Sequence, residues 1–258
     1  MSSTTLPVAA HAGNVGSEMP VTTLFLVAGI AVAAGALVQG GAGLGLGIVA
    51  APVVTLLDPA LMPGSLLVAG AVLPLLILAR EAGHTDWPGV SWALAGRLAG
   101  TAAGIWLVTA VPVQALGVLV GAAVLAVVAV TALGAELPRN RWTLLTAGMV
   151  SGTTGTATSI GGPPVALLYQ RETGARVRAS LSLFLSVGNS LALAALALAG
   201  HLPLRDVEAG LVFLACAAVG LAAAAGFRRF LDTGRIRAAV LVIAAASAVI
   251  LIAHSLVG

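Results

Sequence analysis

Apolar runs close to the length that crosses a bilayer recur almost from end to end of the chain, and this recurrence limits the fold more than any other feature. Breaking the sequence at Pro, Gly and charged clusters gives ten pieces, residues 21–39, 44–57, 64–80, 90–110, 113–133, 142–151, 162–170, 178–200, 204–226 and 236–256. A helix needs about 20 apolar residues to span a hydrocarbon core about 30 Å thick. The chain therefore reads as an all-α polytopic membrane protein. Only 8% of its 258 residues are charged, against about 25% in an ordinary soluble domain, which excludes a soluble enzyme. A β-barrel would alternate apolar with polar residues between aromatic girdles, whereas these runs are continuous Ala, Leu, Val and Gly with 4% aromatics. Residues 1–20 read as a disordered tail, and 21–256 as a single transmembrane domain.

All 12 basic residues are arginines, and all but Arg97 sit in or beside short loops rather than on one face as nucleic-acid binding requires. They act as topology signals. With the ten pieces alternating, Arg80, Arg139, Arg141, Arg171, Arg176, Arg178, Arg228, Arg229, Arg235 and Arg237 fall on one side and Arg205 on the other. The positive-inside rule makes the first side cytoplasmic and puts both termini outside. Cys216 is the single cysteine, and His11, His84, His201 and His254 are scattered, so neither a disulfide nor a metal site is expected. Without lysine there is no P-loop, and no cofactor is expected.

Two glycine-rich interruptions carry the candidate chemistry. The first is Gln39-Gly40-Gly41-Ala42-Gly43-Leu44-Gly45-Leu46-Gly47, followed by Pro52; the second runs from Ser151-Gly152-Thr153-Thr154-Gly155-Thr156 to Ser159-Ile160-Gly161-Gly162-Pro163-Pro164. The second reads as a polar turn at membrane depth, tolerated only where protein or a wet cavity satisfies its backbone. It leaves the sixth and seventh pieces too short to cross. Gln39, Gly40, Gly43 and Pro52 lie 112 residues before Ser151, Gly152, Gly155 and Pro164. The spacing predicts an internal duplication, about 21–133 and 142–256, each half a broken helix pair or re-entrant hairpin plus three helices. Arginine parity makes the repeats inverted.

Helices that start after Gly47 and after Gly162 would aim their amino ends at one spot, where unpaired N–H groups and partial positive charge favour a small anion. The candidate substrate-binding residues are Gln39, Gly40, Gly43, Gly47, Ser151, Gly152, Thr153, Thr154, Thr156, Gly161, Gly162, Pro163 and Asn189. Against this stands close helix packing, which also selects small residues in membranes. Arg97, the one charge plainly inside a span, either attracts anions or snorkels toward the arginine-rich end. Tyr169 reads as an interfacial anchor, as do Trp87, Trp92 and Trp142. Asp58, Glu81, Glu136, Glu172, Asp206, Glu208 and Asp232 lie near span ends, so coupling through a mid-membrane acid is not supported. Energy is expected from a gradient of protons or another ion, or from a partner.

The paired motifs resemble the TauE/SafE family, membrane proteins described as sulfite exporters and anion permeases for sulfur compounds. The resemblance rests on the glycines after Gln39 with Pro52, and more specifically on Ser151-Gly152-Thr153-Thr154-Gly155 leading to Gly161-Gly162-Pro163-Pro164 and Tyr169. It covers residues 21–256; Leu44, Leu46 and the single Pro52 depart from the more polar second-half pattern. The resemblance implies a secondary transporter in the cytoplasmic membrane for sulfite or an organosulfonate such as sulfoacetate. The residues alone reach only a small anion. The alternatives are a drug or metabolite exporter with inverted five-helix repeats, which predicts a larger apolar cavity, and a passive anion channel. An intramembrane enzyme lacks support, since Ser151 has no Gly-x-Ser-Gly context and no deep histidine to serve as base.

Overall fold

Each apolar run becomes a helix, because backbone polar groups in hydrocarbon must be satisfied within their own segment. The computed structural model describes residues 20–133, 138–231 and 234–257. Among these residues there is no strand, and the helices are α1 (Val21–Ala42), α2 (Leu46–Leu57), α3 (Gly64–Glu81), α4 (Trp87–Ala110), α5 (Val113–Leu133), α6 (Arg141–Thr158), α7 (Pro163–Leu168), α8 (Gly174–Leu198), α9 (Leu204–Leu231) and α10 (Gly234–Val257). The tail expected over residues 1–20 lies outside the described residues but for Pro20, as do His11, Glu136, Asp232 and the side chains of Arg228, Arg229, Arg235 and Arg237. Helical segments in α1, α3, α4, α8 and α9 are long and apolar enough to cross a membrane. Leu26, Ile30, Leu75, Leu98, Trp106, Met149, Leu211, Val219 and Ile250 are exposed, whereas Gln39, Thr55, Arg97, Ser151, Thr156, Ser182 and Asn189 are buried. That inversion suits lipid as solvent. Trp87 and Trp142 are exposed in the first turns of α4 and α6, and Trp92 one turn further along α4.

The stretch 151–158, expected as a polar turn, is instead the last two turns of α6. The hydroxyls of Thr153, Thr154 and Thr158 donate to the carbonyls of Met149, Val150 and Thr154 one turn back, at 3.1, 2.9 and 2.7 Å. Bonded in this way, hydroxyls no longer compete with the helix, and the run stays helical. At 18 residues, about 27 Å, α6 nearly spans a bilayer; only α7, with 6 residues, remains a fragment. The breaks shrink to residues 43–45 and 159–162. Each opens with a left-handed C-cap, Gly43 at φ 81° and Ser159 at φ 61°. For Ser159 that conformation costs about 1–2 kcal/mol, and its hydroxyl is held by the Pro63 carbonyl at 2.9 Å. The two caps are 116 residues apart, whereas the glycine motifs of the two breaks are 112 residues apart.

The helices pack in matching pairs. On α4 and α6, which run parallel, a Cβ on Gly96, Gly100 or Gly148 would lie 2.0 Å from the carbonyl oxygen of Leu145, Met149 or Ala93. Backbones touch there because no side chain intervenes. On α1 and α9, also parallel, a Cβ on Gly220 would lie 2.0 Å from the Ala33 carbonyl oxygen. Between them, α3 and α8 cross antiparallel, Gly70 beside Asn189 and Glu81 paired with Arg178. Antiparallel packing recurs in α5 and α10, where Gly117 meets Ser255 and Gly121 meets Ile252. The contact of α3 with α9 likewise has its counterpart in α8 with α4.

Both broken pairs return to the end from which they start. The Arg139 guanidinium, just before α6, lies 5.1 Å over the ring of Tyr169 at the end of α7. At the opposite end Asp58, which closes α2, pairs with Arg205 in the first turn of α9, the helix that runs alongside α1.

Candidate functional site

The two hairpin tips meet inside the bundle. A Cβ on Gly47 would come 2.3 Å from the Ser159 carbonyl oxygen, and one on Gly162 would come 3.3 Å from Leu44 Cβ. Between the tips lies a cavity of about 30 Å³, walled by both breaks, by Leu66 and Gly70 of α3 and by Leu185 and Asn189 of α8. It has room for a ligand the size of a few water molecules.

At the amino end of α2, Gln39 Oε1 accepts the Leu46 N–H at 3.2 Å and the Gly45 carbonyl accepts the Val49 N–H at 3.1 Å. Between them, Gly47 and Ile48 belong to the first turn, whose N–H groups have no intrahelical acceptor, and both line the cavity. The start of α7 faces the same space with less to offer. Pro163 and Pro164 suit a first turn because they have no N–H, and for that reason they donate nothing to an anion.

Of the residues expected at the site, Gln39, Gly47, Gly161, Gly162, Pro163 and Asn189 come together around this cavity. The others do not face it. Gly40 packs on Ala224 and Leu221 of α9, Gly43 is a left-handed cap beside the Arg178 backbone, and Gly152 lets α6 touch the Arg97 carbonyl. Thr153 is spent on the carbonyls of Gly100 and Met149, and Thr154 on those of Val150 and Ile160. Thr156 is buried against Gly104 on α4. Ser151 sits one layer behind the wall, where its hydroxyl donates to the Gly161 carbonyl and accepts from Arg97.

Arg97 does not snorkel. Its side chain is completely buried, with Nη2 donating to Asn189 Oδ1 at 2.7 Å, Nη1 to Ser151 Oγ at 3.4 Å, and the guanidinium 4.9 Å from the Phe184 ring centre. Room for it is made by glycines: a Cβ on Gly188 would lie 2.0 Å from Nε, on Gly161 3.0 Å from Nη1 and on Gly155 3.2 Å from Nη2. The available signal was a lone arginine within a span. Its partners on α6 and α8 are 54 and 92 residues away.

Polar latches close the bundle at both ends. Tyr169 is fully buried rather than an interfacial anchor, and its hydroxyl donates to Asp86 Oδ2 at 2.9 Å. Arg139 reaches the same oxygen at 2.8 Å and Glu172 at 2.9 Å, while Arg176 reaches Asp86 Oδ1 at 3.3 Å. Burial pushes the Asp86 carboxyl up, but the Tyr169 hydroxyl, Arg139, the Gly89 N–H and Arg176 outweigh it and hold the group below its usual 3.8. At the other end is the ion pair of Asp58 with Arg205.

Fold and site together define a polytopic α-helical membrane protein whose two hairpin tips flank a small cavity at the crossing of α3 and α8. The family model described as sulfite exporter TauE/SafE matches residues 27–251, and the chain belongs to that family of membrane transporters. No curated protein and no solved structure matches it.

Proposed function

We propose that the chain is a secondary transporter that moves a small anion, sulfite or an organosulfonate such as sulfoacetate, across the cytoplasmic membrane by alternating access. The observation that carries this reading is the cavity between the hairpin tips, lined by the amino end of α2, by Gln39 and Asn189, and by Gly161 and Gly162. Its volume of about 30 Å³ suits an ion the size of sulfite, an organosulfonate such as sulfoacetate requiring a wider state of the same site, and it is far below the roughly 300 Å³ or more of drug-sized sites.

Matched packing supports two inverted repeats, α1 to α5 and α6 to α10. A two-fold axis that relates antiparallel neighbours such as α3 and α8 lies perpendicular to them, hence in the membrane plane. The latches support alternating access, since they join counterpart helices at opposite ends: α7 to α4 through Tyr169 and Asp86, and α2 to α9 through Asp58 and Arg205. Opening one end separates one set while the other stays closed. The end holding Arg139, Arg176 and Arg178 is the cytoplasmic one, with both termini outside. A gradient of protons or another ion supplies the energy.

Counterflow of labelled sulfite, sulfoacetate, sulfate and acetate into liposomes carrying the purified protein, with and without a pH gradient, tests the reading. Saturable exchange of a sulfur oxyanion is the expected result. Unsaturable flux would replace the carrier with a channel, and no exchange by correctly inserted protein would overturn the substrate class.

A further inference from the structure

We infer that Arg97 is the fixed positive charge of the binding site and that the transported anion is its counter-ion. The inference rests on the anion-carrier reading and adds to it the residue that selects for charge. A guanidinium buried among helices is costly unless an opposite charge and acceptors surround it. Among the described residues no carboxylate forms an ion pair with Arg97. Of the five N–H donors in a guanidinium, one meets Asn189 Oδ1 at 2.7 Å and one meets Ser151 Oγ at 3.4 Å; Nε is buried with no acceptor among the described residues. Both neutral partners adjoin the cavity. Asn189 lines it, and Ser151 is bonded to Gly161, which also lines it.

Arg97 does not itself line the cavity but stands one layer behind its wall: Gly161, which does line it, would bring a Cβ 3.0 Å from Nη1. An entering sulfite or sulfonate presents two or three oxygens, which a guanidinium fork binds through paired N–H···O contacts. Asn189 would then turn its amide from Arg97 to the ligand. The charge is present on one side only: in α9, the counterpart of α4, the position 116 residues after Arg97 is the buried Phe213. An anion therefore compensates this cation, and a neutral molecule of the same size would leave the charge uncompensated.

The test uses the full-length protein in detergent, with sulfite as the probe and the sulfite-dependent rise in melting temperature as the readout, beside counterflow in liposomes. Arg97→Lys keeps the charge but loses the fork, and its sulfite affinity should fall about tenfold. Arg97→Gln should lose about a hundredfold or more while its ligand-free melting temperature holds or rises, because an uncompensated buried charge has gone. A residue that merely ties α4 to α8 predicts the opposite pattern, a lower ligand-free melting temperature with sulfite affinity kept. Asn189→Asp provides a second route by supplying an internal counter-ion. It should raise the ligand-free melting temperature and abolish the sulfite-dependent rise. Wild-type sulfite affinity in Arg97→Gln or Asn189→Asp would overturn the inference and leave the carrier reading intact; a wild-type protein that responds to none of the four anions would remove both.

Discussion

The Tyr169 phenol and the Asp86 carboxylate, 83 residues apart, share a 2.9 Å hydrogen bond that fastens the end of α7 to the start of α4. Gly89 makes the contact feasible, since a Cβ there would lie 2.2 Å from Asp86 Oδ2 and 2.4 Å from the Tyr169 hydroxyl. Tyr169→Phe removes one donor and leaves both arginines in place, so thermal unfolding in detergent should show a loss of about 1 kcal/mol. Asp86→Asn removes the charge that Arg139 and Arg176 share, and its melting temperature should fall further. Equal losses would mean that the ion pairs contribute nothing.

The same carboxyl sets a pH dependence. Its folded value lies below the usual 3.8, so its contribution is fully present above that value and is lost as pH falls through the lower folded one. The difference in melting temperature between wild type and Asp86→Asn should be flat from about pH 8 to about pH 5 and should shrink only below about pH 4. A difference that disappears nearer neutrality would assign the effect to another group.

The crossing of α4 and α6 depends on absent side chains. In Gly100→Val the new Cβ would sit 2.0 Å from the Met149 carbonyl oxygen, backbone that cannot step aside, so overpacking should cost at least about 1–3 kcal/mol and cut the yield of folded protein. Gly83, beside which nothing lies within 4 Å, is the control. Gly83→Ala should purify and melt like wild type.

Most helices are legible in the sequence because a bilayer demands one long apolar run per crossing, and runs are visible in one dimension. The end of α6 is not, because Thr and Ser resemble a turn until their hydroxyls are seen bonding to carbonyls one turn back, as Thr154 does to Val150. The position of the second break is hidden for a related reason: glycine identity pairs Gly43 with Gly155, whereas the left-handed caps are Gly43 and Ser159. Gln39 and Asn189 stand out as polar side chains at depth. Arg97 stands out too, but its burial is hidden, since it depends on Ser151, Gly161 and Gly188, contributed by α6, its following break and α8.

Two threonine and glycine positions separate cavity from scaffold. Gly162→Val adds methyl groups at a wall of the cavity, where even the first carbon would be 3.3 Å from Leu44 Cβ, so anion exchange should be abolished while membrane insertion survives. Thr154→Val removes a hydroxyl engaged with Val150 and Ile160. It should cost about 1 kcal/mol of stability and leave sulfite affinity unchanged. A Thr154→Val protein with weakened affinity and normal stability would return that hydroxyl to the binding site.

The latches at the two ends are unequal, and this inequality should bias opening. Arg205 is 60% exposed in its pair with Asp58, and such a surface pair contributes between about 0 and 1 kcal/mol. The other end ties Asp86 to a buried tyrosine and two arginines. If the ends alternate, the weaker opens more readily, because the population of an open state falls with the free energy of the latch that must break to reach it. A cysteine that replaces Leu66, which lines the cavity, can report this in a Cys216→Ala background. A membrane-impermeant thiol reagent on sealed vesicles should modify it faster from the Arg205 side. Asp86→Asn should raise the rate from the arginine-rich side, and Arg205→Gln should raise it from the opposite side only. Acceleration from both sides by either variant would mean that the ends open together, and the carrier would give way to a channel.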